Sequence, residues 1–252
     1  MSHDFSALVR RLECAQALQN ERFNRAAGGR SLPVAGGFAH FRGEGHPLNQ
    51  ALGLLEEATV ADLAAIEAFL GAPTVLELSP GAHPSLWPLL AERGYRVHQL
   101  QQLWTRSLGG PETAPPAGQV RIAELQEEDL YNRVVCAGFL ERDDWRELDL
   151  PFRTSLEVRD AWGFMAFVAG EPAGGGMLGI VDGVALLSGD GVLPRFRGRG
   201  LQKGLIQARL AFAGEWGCDL AGAGTAPGTA SQRSYEACGF RAAYPKLEMA
   251  RG

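Results

Sequence analysis

The chain has 252 residues, is 46% hydrophobic and 21% charged, and carries a formal net charge of −5. Those fractions are ordinary for a globular protein and exclude wholesale disorder, collagen and coiled coil, while the length allows one large domain or two of average size. The mild acidity argues against a dedicated nucleic-acid binder.

No stretch approaches 18 uninterrupted apolar residues, and the opening MSHDFSALVR lacks the pattern of a secretory leader. A cytoplasmic protein with no membrane attachment is therefore expected. Cys14, Cys136, Cys218 and Cys238 follow neither metal-ligand nor disulfide-framework spacing. Of the 24 cationic residues only Lys203 and Lys246 are lysines, a skew that carries little functional information. All five histidines (His3, His40, His46, His83, His98) lie in the first 100 residues. Chemistry in the second half must find its acid and base elsewhere. His40 and His46 stand six apart with no third ligand at helical spacing, so no metal site is expected.

In the first half, Val60–Leu70 has the spacing of a helix. The run Leu89-Leu90-Ala91-Glu92-Arg93-Gly94-Tyr95 reads as a short helix stopped by glycine, with an aromatic starting a strand that reaches Trp104-Thr105-Arg106. The segment Ser107 to Gln119, SLGGPETAPPAGQ, is rich in Gly and Pro and has no apolar period. It reads as a linker near the middle of the chain, with a long surface loop as the alternative. The linker reading divides the chain into residues 1–110 and 118–252.

The second half alternates. Val120–Leu125 is a short strand, and Glu127–Glu141 a helix with Leu130, Val134, Val135 and Leu140 on its apolar side. Arg142–Asp149 is a charged, solvated run, and Arg153–Trp162 a second helix. Gly163–Ala169 and Gly174–Val181 form a hairpin about the turn Glu171-Pro172, and Asp182-Gly183 turns into the strand Val184–Leu193. Gly189 and Gly191 inside that strand point to a bulge or a close backbone approach. Pro194–Gly200 is a loop, Leu201–Trp216 a helix, Asp219–Thr225 a strand, Thr229–Cys238 a helix and Phe240–Ala250 the last strand. The class is mixed α/β. Tyr235-Glu236-Ala237-Cys238-Gly239-Phe240 repeats the helix–glycine–aromatic unit of the first half. Gly94 precedes Arg106 by twelve residues, as Gly239 precedes Arg251. With the central linker, this suggests two copies of one fold.

The segment Leu193-Pro194-Arg195-Phe196-Arg197-Gly198-Arg199-Gly200-Leu201-Gln202-Lys203-Gly204 carries the most chemistry. A strand ends, a Gly- and Arg-rich turn follows, and a helix begins. Gly198 and Gly200 allow a tight turn and close approach. The first N–H groups of the helix lack intrahelical partners and, with the dipole, suit an anion such as phosphate. The G-x-x-x-x-G-K-[ST] pattern of a nucleotide-binding P-loop is absent, and one RG repeat in an acidic chain is weak support for RNA. A solvated basic turn and a pyrophosphate cradle remain, and the strand–loop–helix context favours the cradle.

Arg197-Gly198-Arg199-Gly200-Leu201-Gln202, preceded by Val192-Leu193-Pro194, resembles the acetyl-CoA signature Gln/Arg-x-x-Gly-x-Gly/Ala of the GCN5-related N-acetyltransferase (GNAT) superfamily. Arg197 takes the first position, Gly200 the fourth and Gln202 the sixth, where Gly or Ala is usual. Tyr235 to Phe240 resembles the family's Tyr-x-x-x-Gly-Phe. The resemblance covers roughly Val120 to Gly252. With the repeat, the whole chain resembles tandem GNAT proteins whose first copy is degenerate. In the first half, Gly53 to Thr59 passes straight into the Val60–Leu70 helix with no Arg/Gly loop, so that half is not expected to bind the cofactor.

The resemblance implies acetyl transfer from acetyl-CoA, as co-substrate, to an amine by direct attack. The amine would be that of a small molecule or a peptide. The backbone from Gly198 to Lys203 (Gly198, Arg199, Gly200, Leu201, Gln202, Lys203), with Arg197, would hold the pyrophosphate. Val192 and Leu193 would align the pantetheine arm, and the N–H near Leu193 would face the thioester carbonyl. Tyr235 is the candidate acid for the leaving thiolate, since a phenol is protonated at neutral pH. Asp190, on the bulged strand, is the candidate base. Glu141, Asp143 and Asp144 are alternatives that read more simply as solvated. A non-catalytic acyl-CoA-binding or interaction module on the same scaffold is the rival reading.

Overall fold

The computed structural model describes residues 2–110, 119–148, 150 and 153–252. In chain order the elements are α1 (Ser2–Ala26), β1 (Arg30–Val34), β2 (Gly37–Phe41), β3 (Gln50–Leu52), α2 (Val60–Leu70), β4 (Thr74–Leu78), α3 (Leu86–Glu92) and β5 (Arg96–Ser107). Then come β6 (Val120–Ile122), α4 (Glu128–Phe139), β7 (Ala161–Val168), β8 (Glu171–Val181), β9 (Val184–Val192), α5 (Leu201–Glu215), β10 (Leu220–Thr225), α6 (Ala230–Ala237) and β11 (Arg241–Arg251). The architecture is mixed α/β, as the element pattern predicts. No described helix is long and apolar enough to cross a membrane.

The described residues group into two compact units, 1–103 with 243–252, and 104–242. The C-terminal strand thus groups with the first half of the chain, whereas a division at the Gly/Pro-rich segment assigns it to the second. Residues 111–118 of that segment lie outside the described residues.

In the first unit the strand order is β1-β2-β3-β4-β11-β5. β1, β2 and β3 form an antiparallel meander, β3 and β4 are parallel, and β4 and β11 are antiparallel. Its core gathers Ala39, Ala51, Leu63, Ile66, Leu76, Leu78, Leu86 and Leu90 from strands and helices. Helix α2 opens with a capping box. Thr59 Oγ1 accepts the Asp62 N–H, and Asp62 Oδ2 accepts the Thr59 N–H at 2.8 Å.

In the second unit the order is β5-β10-β9-β8-β7-β6, with β5 contributing from Trp104 onward. β6 to β9 are antiparallel neighbours, while β9 and β10 run parallel. Successive residues of β8 face opposite sides of the sheet. Gly175 faces Val135 of α4, and Gly176 faces Arg209 of α5, so the two helices cover opposite faces.

Two sequence expectations are corrected here. Residues 153–160 form turns rather than a helix. Side chains of α4 satisfy their backbone instead: Asn132 Nδ2 donates to Thr154 O, Asn132 Oδ1 accepts the Thr154 N–H, and Glu128 accepts the Leu156 N–H. The β7–β8 turn falls at Ala169-Gly170, both with positive φ, so that Glu171 and Pro172 begin β8. Asp149, in the charged run, lies outside the described residues.

Candidate active site

The site begins where β9 leaves its parallel neighbour. Pairing of β9 with β10 runs only from Val184↔Leu220 to Leu187↔Ala223. β9 itself continues to Val192. Beyond Leu187 the two strands therefore diverge and open a wedge. On its other side β9 carries the bulge expected from its glycines. Gly175 pairs with Gly191 and Met177 with Ser188, so Gly189 and Asp190 together oppose Gly176.

A cleft of about 580 Å³ follows this wedge. Asp190 and Val192 of β9, Gly138 and Phe139 at the end of α4, the 196–203 turn, and Thr229 to Ser231 with Ser234 line it. Its size suits a small-molecule ligand.

The phosphate-type cradle expected at the head of α5 is built as follows. A short 3₁₀ turn, Pro194–Phe196, leads from β9 into Arg197. Gly198 and Gly200 have φ of +75° and +77°, and a Cβ on either would meet nothing within 4 Å. The first intrahelical N–H donor is Gly204, bonded to Gly200 O at 3.0 Å. The N–H groups of Leu201, Gln202 and Lys203 thus lie ahead of the first helical turn, without an intrahelical acceptor. Arg199 and Lys203 have no carboxylate partner among the described residues, and both side chains are exposed. A basic, donor-rich surface with room in front of it results.

Arg197 has another task. Its guanidinium donates to Val192 O, Gly138 O and Glu141 Oε1, at 3.1, 3.0 and 3.1 Å. It ties the end of α4 to the end of β9 and so fixes the turn. Arg195 is similarly used, on Asp143 and Glu171. Asp143 is therefore more than solvated, since its carboxylate also accepts the Arg195 N–H. Gln202, the departure from the motif, bridges α5 to α6. Its amide donates to Ser231 Oγ and its carbonyl accepts from Ser234, at 3.1 and 3.2 Å.

Two backbone groups expected to face a ligand are already engaged. The Leu193 N–H donates to Ala173 O at 2.9 Å, and Val192 O receives Arg197 Nε. The Leu193 N–H itself is thus bonded on the β8 side of the strand.

Asp190 and Tyr235 are brought together, forty-five residues apart in sequence. Tyr235 Oη donates to Asp190 Oδ2, and Arg209 donates to Asp190 Oδ1. Asp190 is on the cleft wall, whereas Tyr235 is buried behind it at 1% exposure. Burial, and then the Asp190 charge, raise the Tyr235 phenol well above its ordinary value. The phenol stays protonated, but its proton points at Asp190. The residue that sequence reasoning missed is Arg209. Burial is the largest influence and acts against its charge, yet Asp190 together with the Tyr235 and Tyr131 phenols outweighs it and holds the guanidinium above its usual range. None of the four cysteines is in a disulfide, and Cys238 is buried as packing. No group of three or more metal-ligating side chains occurs among the described residues.

A mixed α/β domain with a bulged strand, a diverging neighbour and an anion-suited helix start is the class that this geometry defines. Over residues 121–240 the sequence matches the model of the acetyltransferase (GNAT) family. That match lies within the second unit, residues 104–242. No curated protein matches the sequence. Solved structures are similar in fold over more of the chain. A GCN5-related N-acetyltransferase from Kribbella flavida is 19% identical with a TM-score of 0.66, over 96% of this chain and 94% of its own. A GNAT-family protein from Novosphingobium aromaticivorans is 20% identical with a TM-score of 0.55, over 77% and 81%. A tandem GNAT protein from the clavulanic acid biosynthesis pathway is 18% identical with a TM-score of 0.56, over 76% and 67%.

Proposed function

We propose that residues 104–242 bind acetyl-CoA in the cleft and transfer its acetyl group to an amine. One observation carries this reading: the unpaired N–H groups at the head of α5, behind two positive-φ glycines, open onto the cleft that Asp190 lines. The donor set fits a pyrophosphate, since it combines backbone N–H groups with Arg199 and Lys203, neither of which has a carboxylate partner among the described residues. When bound, acetyl-CoA supplies an activated thioester carbonyl. Arg197 keeps the turn in place, and Gln202 holds α6 against α5. Asp190, its carboxylate fixed on both oxygens, supplies negative charge at the cleft wall for an incoming cationic amine. Tyr235 orients that carboxylate from behind.

The first half is, in this reading, a GNAT-like copy that does not hold the cofactor. At the start of α2 the Thr59–Asp62 box already occupies the Thr59 and Asp62 N–H groups and sets a carboxylate where a phosphate would need cations.

The rival reading, an acyl-CoA-binding module without turnover, draws on one observation: the Tyr235 proton is spent on Asp190. One experiment separates the two. Acetyl-CoA binding is measured by calorimetry for the wild type and for Arg197→Glu and Gly200→Glu, and thiol release is then followed against a panel of amines. Binding near one site per chain, lost in both variants and followed by amine-dependent thiol release, supports the enzyme. Binding with no release from any amine favours the module. No binding to the wild type ends both.

A further inference from the structure

Arg209 lies in the interior of α5 with its side chain fully buried. Such a position normally takes an apolar residue. All three guanidinium nitrogens are used. Nε donates to Leu205 O at 3.0 Å, NH1 to Met177 O at 3.0 Å and to Ser188 O at 3.3 Å, and NH2 to Asp190 Oδ1.

Met177 and Ser188 are the paired residues at the point where the β8–β9 register breaks. A bulge interrupts the ladder and leaves carbonyls without strand partners. One guanidinium here supplies donors to a carbonyl on each strand and to the displaced Asp190. Gly176 makes the room, since a Cβ there would lie 2.7 Å from Arg209 NH1 and 2.6 Å from Asp190 Oδ1. A lysine offers a point charge in place of this planar fork.

We propose that Arg209 is a positioning residue of the acyl-transfer site. It fixes the bulge in β9 and thereby holds the Asp190 carboxylate in one place at the cleft wall, acting through Asp190 without touching a substrate. Its activity readout rests on the function proposed above; its structural readout does not.

The test uses the full chain with Arg209→Lys, Arg209→Met and Asp190→Asn. Hydrogen exchange over residues 188–191 is measured without ligand. Acetyl-CoA affinity, and kcat and KM for a responsive amine, follow. In Arg209→Met, exchange at the bulge is expected to rise at least tenfold. Acetyl-CoA Kd should stay within about threefold, because the cradle is held by Arg197 and Gln202. kcat should fall at least thirtyfold, matching Asp190→Asn. Arg209→Lys should recover part of kcat, because charge returns without the fork; it also serves should the methionine variant not fold. An unprotected bulge with unchanged kcat would overturn the proposal, as would an unchanged bulge. So would a lysine variant that loses kcat and acetyl-CoA binding together, which is the mark of a merely structural residue. If the wild type acetylates no amine, the acyl-transfer reading fails, and bulge exchange still decides whether Arg209 sets this part of the strand.

Discussion

Gly200 and Gly217 stand at the two ends of α5 and are conformational twins. Their φ angles are +77° and +73°, and a Cβ on either meets no atom within 4 Å. Alanine at either site therefore carries only the left-handed backbone penalty, about 1–2 kcal/mol. A smaller unfolded-state entropy for alanine offsets about 0.4–1 kcal/mol of that. The net melting shift should be a few degrees at most, about equal in the two variants. Function should separate them. Gly200 lines the cleft at the head of the helix, whereas Gly217 follows its last turn. A methyl at Gly200 pushes an anion off the N–H groups behind it. Losing even one hydrogen bond to a charged group costs about 1.5–3 kcal/mol, which is tenfold or more in affinity. Thermal melts and acetyl-CoA calorimetry on Gly200→Ala and Gly217→Ala test this directly. Equal affinity loss in the two, or wild-type affinity in Gly200→Ala, would refute a cradle at the start of α5.

Three further outcomes are expected. Burial, reinforced by Arg42, pushes the His40 imidazole down to about 4 from its ordinary 6.5. The unfolded chain takes up this proton first, so the stability present above pH 6.5 is lost as pH falls toward 4, by up to about 3 kcal/mol. Denaturant titrations at pH 7.5 and 4.5 should show a steeper loss in the wild type than in His40→Gln, and parallel losses would count against it. The phenols of Tyr95, Tyr131, Tyr235 and Tyr244 are all raised, in each case chiefly by burial. The folded protein should therefore show no phenolate absorbance at pH 11. The stability these groups confer holds below their unfolded value of about 10 and falls as pH rises past it; phenolate absorbance in a still-folded protein would contradict this. Replacing Gln202 with glycine removes both links to α6 and adds a helix glycine, at a cost of about 2–3 kcal/mol in stability. Acetyl-CoA affinity should fall severalfold in that variant while kcat holds, and a selective fall in kcat would place Gln202 in the chemistry.

What was legible in the sequence was what local backbone chemistry dictates. Gly198 and Gly200 mark a turn whose φ angles only glycine adopts freely, and the helix after them begins where its apolar period begins. Gly189 and Gly191 announced the bulge, and the Gly94 and Gly239 stops each close a helix before a strand. The features that escaped depend on contacts between distant segments. Residues 153–160 looked helical until Asn132 and Glu128 of α4 took their backbone groups. The Leu193 N–H looked free until β8 claimed it. Tyr235 and Asp190 were each singled out, as acid and base in separate roles, because nothing in the sequence indicates that one donates to the other.

Arg209 was invisible for a deeper reason. In an arginine-rich chain one more arginine on a helix reads as surface, and only the fold reveals it as fully buried. Its placement also changes what the aspartate means. An isolated carboxylate in a cleft invites assignment as a base. A carboxylate gripped on one oxygen by a buried guanidinium and on the other by a buried phenol is held in one orientation, and protonating it would strip Arg209 of the carboxylate it pairs with. The same three residues thus argue for a fixed anion, and in the proposed reaction they move the search for the proton acceptor to solvent or to the acceptor side of the cleft.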